Sequence, residues 1–202
     1  MTEACRIFRR VMILGGSGVG KSHLAARLSA LSGLPSFHVD QLSWQPGFVH
    51  RSTEELNQLT ADIHTRDHWI IEGGHYETSV ERAQRADLMI VLGSNPIVQV
   101  LQIVLRSWQY SGRVRPGMAE GCVQRFGPQT LSAVHYALTS NRFHRDRAQA
   151  VMAEAHPGLA VMHLSSRAEV DGLLSRSRRI ILARGFALGD DDLGVTGMEP
   201  AT

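Results

Sequence analysis

The sequence predicts an α/β fold of three layers, with helices on both faces of a five-stranded parallel sheet, and three observations carry that expectation. Short apolar runs alternate with longer segments whose apolar residues recur at helical spacing. The first apolar run, Val11 to Leu14, collapses into glycines and then resumes at once with helix-spaced leucines. Finally, 202 residues with 43% hydrophobic and 20% charged side chains suit one such domain with a real core.

Taken in order, Val11–Leu14 is the first strand and Lys21–Ser32 the first helix, striped by Leu24, Leu28 and Leu31 and stopped by Gly33 and Pro35. Phe37–Asp40 reads as a short second strand, and 41–51, with Pro46-Gly47, as a loop. Ser52 and Glu55 form a capping box for a helix whose core stripe is Leu56, Leu59 and Ile63. A third strand ends at Glu72, Gly73-Gly74 make the turn, and a short helix follows at Val80–Arg85. "DLMIVLG" is the fourth strand. Asn95 as N-cap and Pro96 in the first turn open a helix whose stripe of Ile97, Val100, Leu101, Val104, Leu105 and Trp108 is expected to face the core. The segment that follows is rich in Gly, Pro and Arg; its part 111–121 is expected to be a mobile flap. A long helix over 128–155, a fifth strand "LAVMHL" and a helix capped by Ser166 and Glu169, carrying Val170, Leu173 and Leu174, complete the domain. That domain covers residues 1–184, while 185–202 lack periodicity and are expected to fray as a disordered tail. No internal repeat is found.

The glycine segment carries the chemistry. Gly15, Gly16, Ser17, Gly18, Val19 and Gly20 lie between strand and helix, followed by Lys21 and Ser22. A strand, a glycine loop and a helix in that order aim several backbone N–H groups and the positive end of the helix dipole at one point, which suits an anion. The spacing Gly-x4-Gly-Lys-Ser is that of a P-loop: the backbone cradles phosphates, Lys21 reaches the terminal ones and the Ser22 hydroxyl ligates Mg²⁺. A nucleoside triphosphate, taken as ATP, is therefore expected with Mg²⁺.

Bulk composition excludes other classes. A net charge of +2 is too small to announce a nucleic-acid binder, although arginines crowd into 106–115, 142–147 and 167–184. Two cysteines, Cys5 and Cys122, form neither a disulfide framework nor a metal set, and a reduced cytoplasm suits them. No apolar run approaches the ~18 residues of a membrane span, and Glu3 before the first strand does not read as a secretory signal. Among the ten histidines, His64 and His68 are four apart, but Asp67 and the expected helix end spoil a shared face; no zinc pattern is present. The oligomeric state is not readable.

No Asn-Lys-x-Asp guanine reader and no Asp-Glu pair ending an apolar strand is present. What remains is a carboxylate after strand two (Asp40), Glu72-Gly73-Gly74 after strand three, and arginines Arg113 and Arg115 on the flap. That set resembles the small kinases of the adenylate, shikimate and gluconate kinase type. The blocks "FHVDQLSWQPGF", "WIIEGGHY", "ERAQRADLMIVL", "SGRVRPGMAEGC" and "HLSSRAEVDGLL" more narrowly resemble the bacterial P-loop family known as DNA topology modulation proteins, over about residues 10–175. Its His-x-Asp-x3-Trp-x-Pro-Gly block is matched by His38, Asp40, Trp44, Pro46 and Gly47. Its Asp-Gly-Asn-Tyr turn appears as Glu72, Gly73, Gly74 and, one place late, Tyr76, with His75 intervening and no asparagine.

The resemblance implies an ATP-binding, kinase-like phosphotransferase with an unidentified small-molecule acceptor. Asp40 would orient the acceptor hydroxyl and take its proton, and Glu72 would hold Mg²⁺ with Ser22. Gly73 and Gly74 would let the acceptor approach, Trp44 would be a pocket wall or a core anchor, and Arg113 and Arg115 would close over the transferred charge. Arg142 and Arg145 are weaker candidates, and Arg147 reads as surface. Two rivals stay open: a DNA-associated NTPase, as the family label implies, and a non-catalytic nucleotide-binding regulator.

Overall fold

The computed structural model describes residues 5–180 and 185–193. In chain order the elements are β1 (Cys5–Phe8), β2 (Arg10–Gly15), α1 (Lys21–Ser32), β3 (Ser36–His38), α2 (Val39–Ser43), β4 (Trp44–Gln45), β5 (Val49–His50), α3 (Thr53–His64), β6 (Trp69–Glu72), α4 (Ser79–Arg85), β7 (Leu88–Leu92), α5 (Pro96–Gln109), α6 (Pro128–Ala153), β8 (Ala160–Leu164), α7 (Arg167–Arg176), β9 (Arg178–Ile180), β10 (Gly185–Gly189) and a 3₁₀ turn at Asp190–Leu193.

Five strands form one parallel sheet in the order β3-β6-β2-β7-β8. Alternation along β2 sorts the layers. Val11 and Ile13 face α1 and α7 through Leu24, Leu28, Leu173 and Leu174, whereas Met12 and Leu14 face α3, α4 and α6 through Ile63, Ala83, Ala148 and Val151. A strand buried on both faces reads as an unbroken apolar run, and "VMIL" is one. The fold is thus the expected three-layer α/β/α P-loop architecture, and the glycine loop leaves the carboxyl end of its central strand.

Local signals behave as their chemistry dictates. Ser52 and Glu55 close a reciprocal capping box on α3, Asn95 accepts from the Ile97 amide at the start of α5, and Ser166 caps α7. Gly33 takes the left-handed conformation that ends α1.

Four expectations are corrected. Strand β3 stops at His38, which pairs with Glu72, the last residue of β6. With its neighbour finished, the chain coils into α2, and Asp40 sits in that helix's first turn rather than in a strand. The expected loop 41–51 holds the rest of α2 and the hairpin β4–β5. Residues 185–193 are not a tail: β10 pairs antiparallel with β1 and β9, and Phe186 packs on Phe8 with rings 5.6 Å apart. A strand this short and buried carries no period to read; residues 181–184 and 194–202 of the expected domain end and tail lie outside the described residues. The largest reversal is α5. Its apolar stripe faces outward, with Ile97 and Trp108 each 69% exposed, while Gln99, Ile103 and Ser107 are buried.

Candidate functional site

The glycine loop is built by close approach. Gly15 has φ +143°, and a Cβ there would lie 2.3 Å from the Leu92 carbonyl oxygen. Gly18 has φ +77°, and its Cβ would meet Ile103 of α5 at 2.9 Å. A side chain at either position would be strained in backbone and crowded by its neighbours. At Gly16 a Cβ would fall 2.6 Å from Asn141 Oδ1 of α6, so α5 and α6 together wall the loop. Gln99 accepts from Asn141 Nδ2 at 3.1 Å across that wall. The face of α5 that meets the loop and α6 is thus occupied by Gln99, Ile103 and Ser107, and its leucines lie on the other side.

At the mouth of the loop, Lys21 folds back and donates from Nζ to the Gly16 carbonyl at 2.7 Å. Burial lowers its pKa below the ordinary 10.5, against the opposing pull of Glu72 and Asp40. Ser22 Oγ donates to Glu72 Oε1 at 2.7 Å, and His38 Nδ1 meets the same oxygen at 2.7 Å. Glu72 is buried, which by itself raises a carboxyl pKa; the His38 hydrogen bond, the Lys21 charge and the Ser22 hydrogen bond outweigh it and hold the group below its ordinary value. Glu72 is therefore a fixed anion with hard oxygens beside a hydroxyl, the donor set a small dication prefers.

The turn after β6 divides its two glycines. Gly73, at φ +119°, has its Cβ position 2.7 Å from Val39 Cβ, and its carbonyl accepts from the fully buried Arg82. It is a tight corner with no room for substrate. Gly74 is exposed, and the Tyr76 ring lies over it. Tyr76 Oη meets His144 Nδ1 at 2.9 Å, and Tyr136 Oη reaches the other ring nitrogen at 3.2 Å. The "late" tyrosine thus ties this turn to α6. His75 turns away, buried against Asn57.

Across the mouth stands Asp40, whose Oδ2 accepts from Arg115 Nη2 at 2.9 Å. The structure brings Arg115 to the site but not Arg113, which is exposed and, among the described residues, makes no ion pair. Arg113 serves instead through its backbone: its carbonyl accepts from the Gln124 amide and its amide donates to the Tyr110 carbonyl, next to the Val114–Val123 bridge. Nor is the segment 111–121 free of core: Ala119 is buried, and Gly117 closes on the His38 ring. Gly121 packs on Pro46, and the neighbouring Cys122 donates to the Gln45 carbonyl. Trp44 is not a core anchor: it is half-buried in the hairpin, its ring 3.8 Å from that of His50. Arg142, Arg145 and Arg147 point outward from α6. His64 is a core residue that accepts from Arg82 Nε at 3.2 Å.

Sequence reasoning missed Arg106. It lies on the inner flank of α5, its Nε is buried with no hydrogen-bond partner among the described residues, and its pKa is pushed down to about 10 by burial and by Arg115, with Asp40 and Glu72 opposing. A half-buried guanidinium with an unsatisfied Nε is a ready receptor for phosphate. The arginine-crowded segment 106–115 was the one signal available, and only the facing of α5 makes it specific.

No protein-family model and no curated protein matches the chain. Solved structures do resemble it. A shikimate kinase from Bacteroides thetaiotaomicron is 15% identical at a TM-score of 0.49, over 84% of this chain and 95% of that one. The shikimate kinase from Acinetobacter baumannii in complex with shikimate is 13% identical at 0.47, over 83% and 89%. A deoxyadenosine kinase from M. mycoides with bound dCTP is 12% identical at 0.42, over 82% and 96%. The P-loop fold assigned above rests on the sheet order and helix placement, and no substrate is read from these likenesses.

Proposed function

We propose that the chain is an ATP-dependent phosphotransferase acting on a small acceptor through a hydroxyl group. One observation carries the reading: Ser22 is bonded to Glu72, Arg115 to Asp40, and the charges of Glu72, Asp40 and Arg115 all act on Lys21 at the end of the glycine loop. The residues fit a triphosphate and Mg²⁺. A Cβ at Gly15, Gly16 or Gly18 would crowd the cradle, the Arg106 Nε has no partner among the described residues, and Ser22 with Glu72 supplies hard oxygen donors.

In this reading the loop amides and Lys21 hold the phosphates, and Ser22 and Glu72 hold the metal. Bound there, ATP with Mg²⁺ supplies the phosphoryl group and a neutralising dication. Arg115 engages only Oδ2 of Asp40, so Oδ1 is the atom that orients the acceptor hydroxyl and takes its proton. Arg106 and Arg115 offset the negative charge that spreads over the transferred group. A carboxylate at the acceptor position favours a hydroxyl compound over a phosphate, which it would repel.

The test is a screen of small hydroxyl compounds and nucleosides for ATP consumption above the no-acceptor background, with Lys21→Ala as control. One or more compounds should stimulate consumption, and Lys21→Ala should abolish the rise in melting temperature that ATP gives the wild type. If DNA alone stimulated consumption, or ATP stabilised Lys21→Ala as well as wild type, the reading would be wrong.

A further inference from the structure

Helix α5 is turned inside out relative to a surface helix of a monomer. Along its outer face run Ile97, Val98, Leu101, Leu105 and Trp108, exposed by 69, 42, 55, 61 and 69%. Its inner face holds Gln99, Ile103 and Ser107 against the glycine loop and α6. The apolar surface continues past the helix end: Phe126 and Val123 are also exposed, and the Phe126 amide donates to Ser111 Oγ just beyond α5. Five large apolar side chains exposed together on one helix face form a contiguous patch of the kind that marks an interaction site, and they suit the apolar centre of a stable interface of ~800 Å² per partner.

We infer that this face is the contact between two copies of the chain, related by a two-fold axis. Charge decides for a second copy. The outer face carries no ionised group: the helix's one charged residue is Arg106, which turns inward toward Asp40 and Arg115. An uncharged, apolar, tryptophan-bearing stripe meets its own image without like-charge repulsion, and its composition is that of a homodimer core. A lipid surface fits poorly. Helices that lie in membranes keep Lys and Arg on the face opposite the apolar one, and here that opposite face is packed against the loop. Because α5 walls the glycine loop through Ile103, a partner on its outer side braces the nucleotide cradle from behind. The inference stands independently of the acceptor and of the phosphotransfer reading.

The experiment measures the mass of the full chain by sedimentation equilibrium across a dilution series. Wild type should be a dimer that dissociates on dilution, with Trp108 emission moving to longer wavelength as it does; Trp44 and Trp69 are more buried and should not respond. Leu101→Glu with Leu105→Glu should weaken the dimer by ~10²-fold or more while the melting transition stays cooperative. Mixing that variant with Leu101→Lys/Leu105→Lys should restore a mixed dimer, since each pair of faces then carries opposite charge. A wild type that stays monomeric at every concentration overturns the inference. So does a dimer that survives the glutamate pair unchanged, because another surface then makes it. Co-sedimentation of wild type, but not of the glutamate variant, with vesicles containing anionic lipid also overturns it in favour of a membrane surface.

Discussion

Glu72 and Asp40 follow neighbouring strands of the same sheet, yet the chain holds them in opposite ways. The Glu72 side chain is 5% exposed and accepts from Ser22 and His38 while Lys21 lies close by. The Asp40 side chain is 55% exposed and, among the described residues, has one partner, Arg115, on one oxygen. Glu72 rests on a rigid corner in which Gly73 is wedged against Val39 and braced by buried Arg82 and His64. Asp40 rides on the first turn of a five-residue helix at the surface. A carboxylate held by several donors cannot change partners and suits a fixed cation; one with a single exposed partner can exchange it as substrate comes and goes. Stability and chemistry should therefore be coupled at the first and separable at the second.

Removing Glu72 should show the largest effect. Glu72→Ala strips the acceptor from His38 and Ser22 and the counter-charge from Lys21, and should cost about 1–3 kcal/mol in urea unfolding. It should also depress Mg²⁺-dependent turnover by ~10³-fold or more, as loss of a preorganised charge-stabilising group does. Unchanged unfolding alongside lost turnover would break the coupling. Asp40→Asn comes next. Turnover should fall by ~10²–10⁴-fold, the range for a removed acid–base group, with ATP binding retained and stability within about 0.5 kcal/mol, as expected of an exposed pair. A stability loss equal to that of Glu72→Ala would show Asp40 to be structural.

The flap arginines sharpen the same contrast. Arg115→Ala should lower turnover by ~10²-fold with a smaller change in ATP affinity, because its partner is the charge that develops during transfer. Arg113→Ala, whose side chain is exposed and unpaired among the described residues, should stay within about two-fold of wild type. Equal losses from both would mean that the flap adopts a second arrangement when substrates bind.

How far the site could be read depended on how locally its parts are encoded. The glycine loop, Lys21 and Ser22 are contiguous, and Glu72 ends an apolar run, so strand–loop–helix logic places them. The chemistry of Asp40 is legible but its place on a helix is not, because nothing in "FHVD" says that β6 has already ended beside it. Arg106 and the true facing of α5 were invisible: periodicity groups Ile97, Leu101, Leu105 and Trp108 on one side but does not say which side is covered. Phe186 and Leu188 belong to a strand whose partner lies at the other end of the chain, a pairing no local window contains.

The smallest effect concerns the support beneath Glu72. His64 is buried under Arg82 and Arg85, and burial first, then those charges, lowers its pKa from 6.5 to about 3. It stays neutral in the folded chain while the unfolded chain takes up a proton below pH 6.5, so its contribution to stability is full above 6.5 and declines as pH falls toward 3. The slope is at most ~1.4 kcal/mol per pH unit for one proton. His75 and His144, also lowered by burial, act in the same direction. Glu72, held below its ordinary value, adds its loss only under pH 4.5. Unfolding free energy measured at pH 8, 6 and 5 should therefore fall, chiefly through these histidines. His64→Gln keeps an acceptor for Arg82 but no proton site; it should be less stable at pH 8 and show a shallower slope between 6 and 5. The same slope in both proteins would mean that Arg82 and the Gly73 corner do not hold His64 neutral, and the rigid foundation assigned to Glu72 would have to be sought elsewhere.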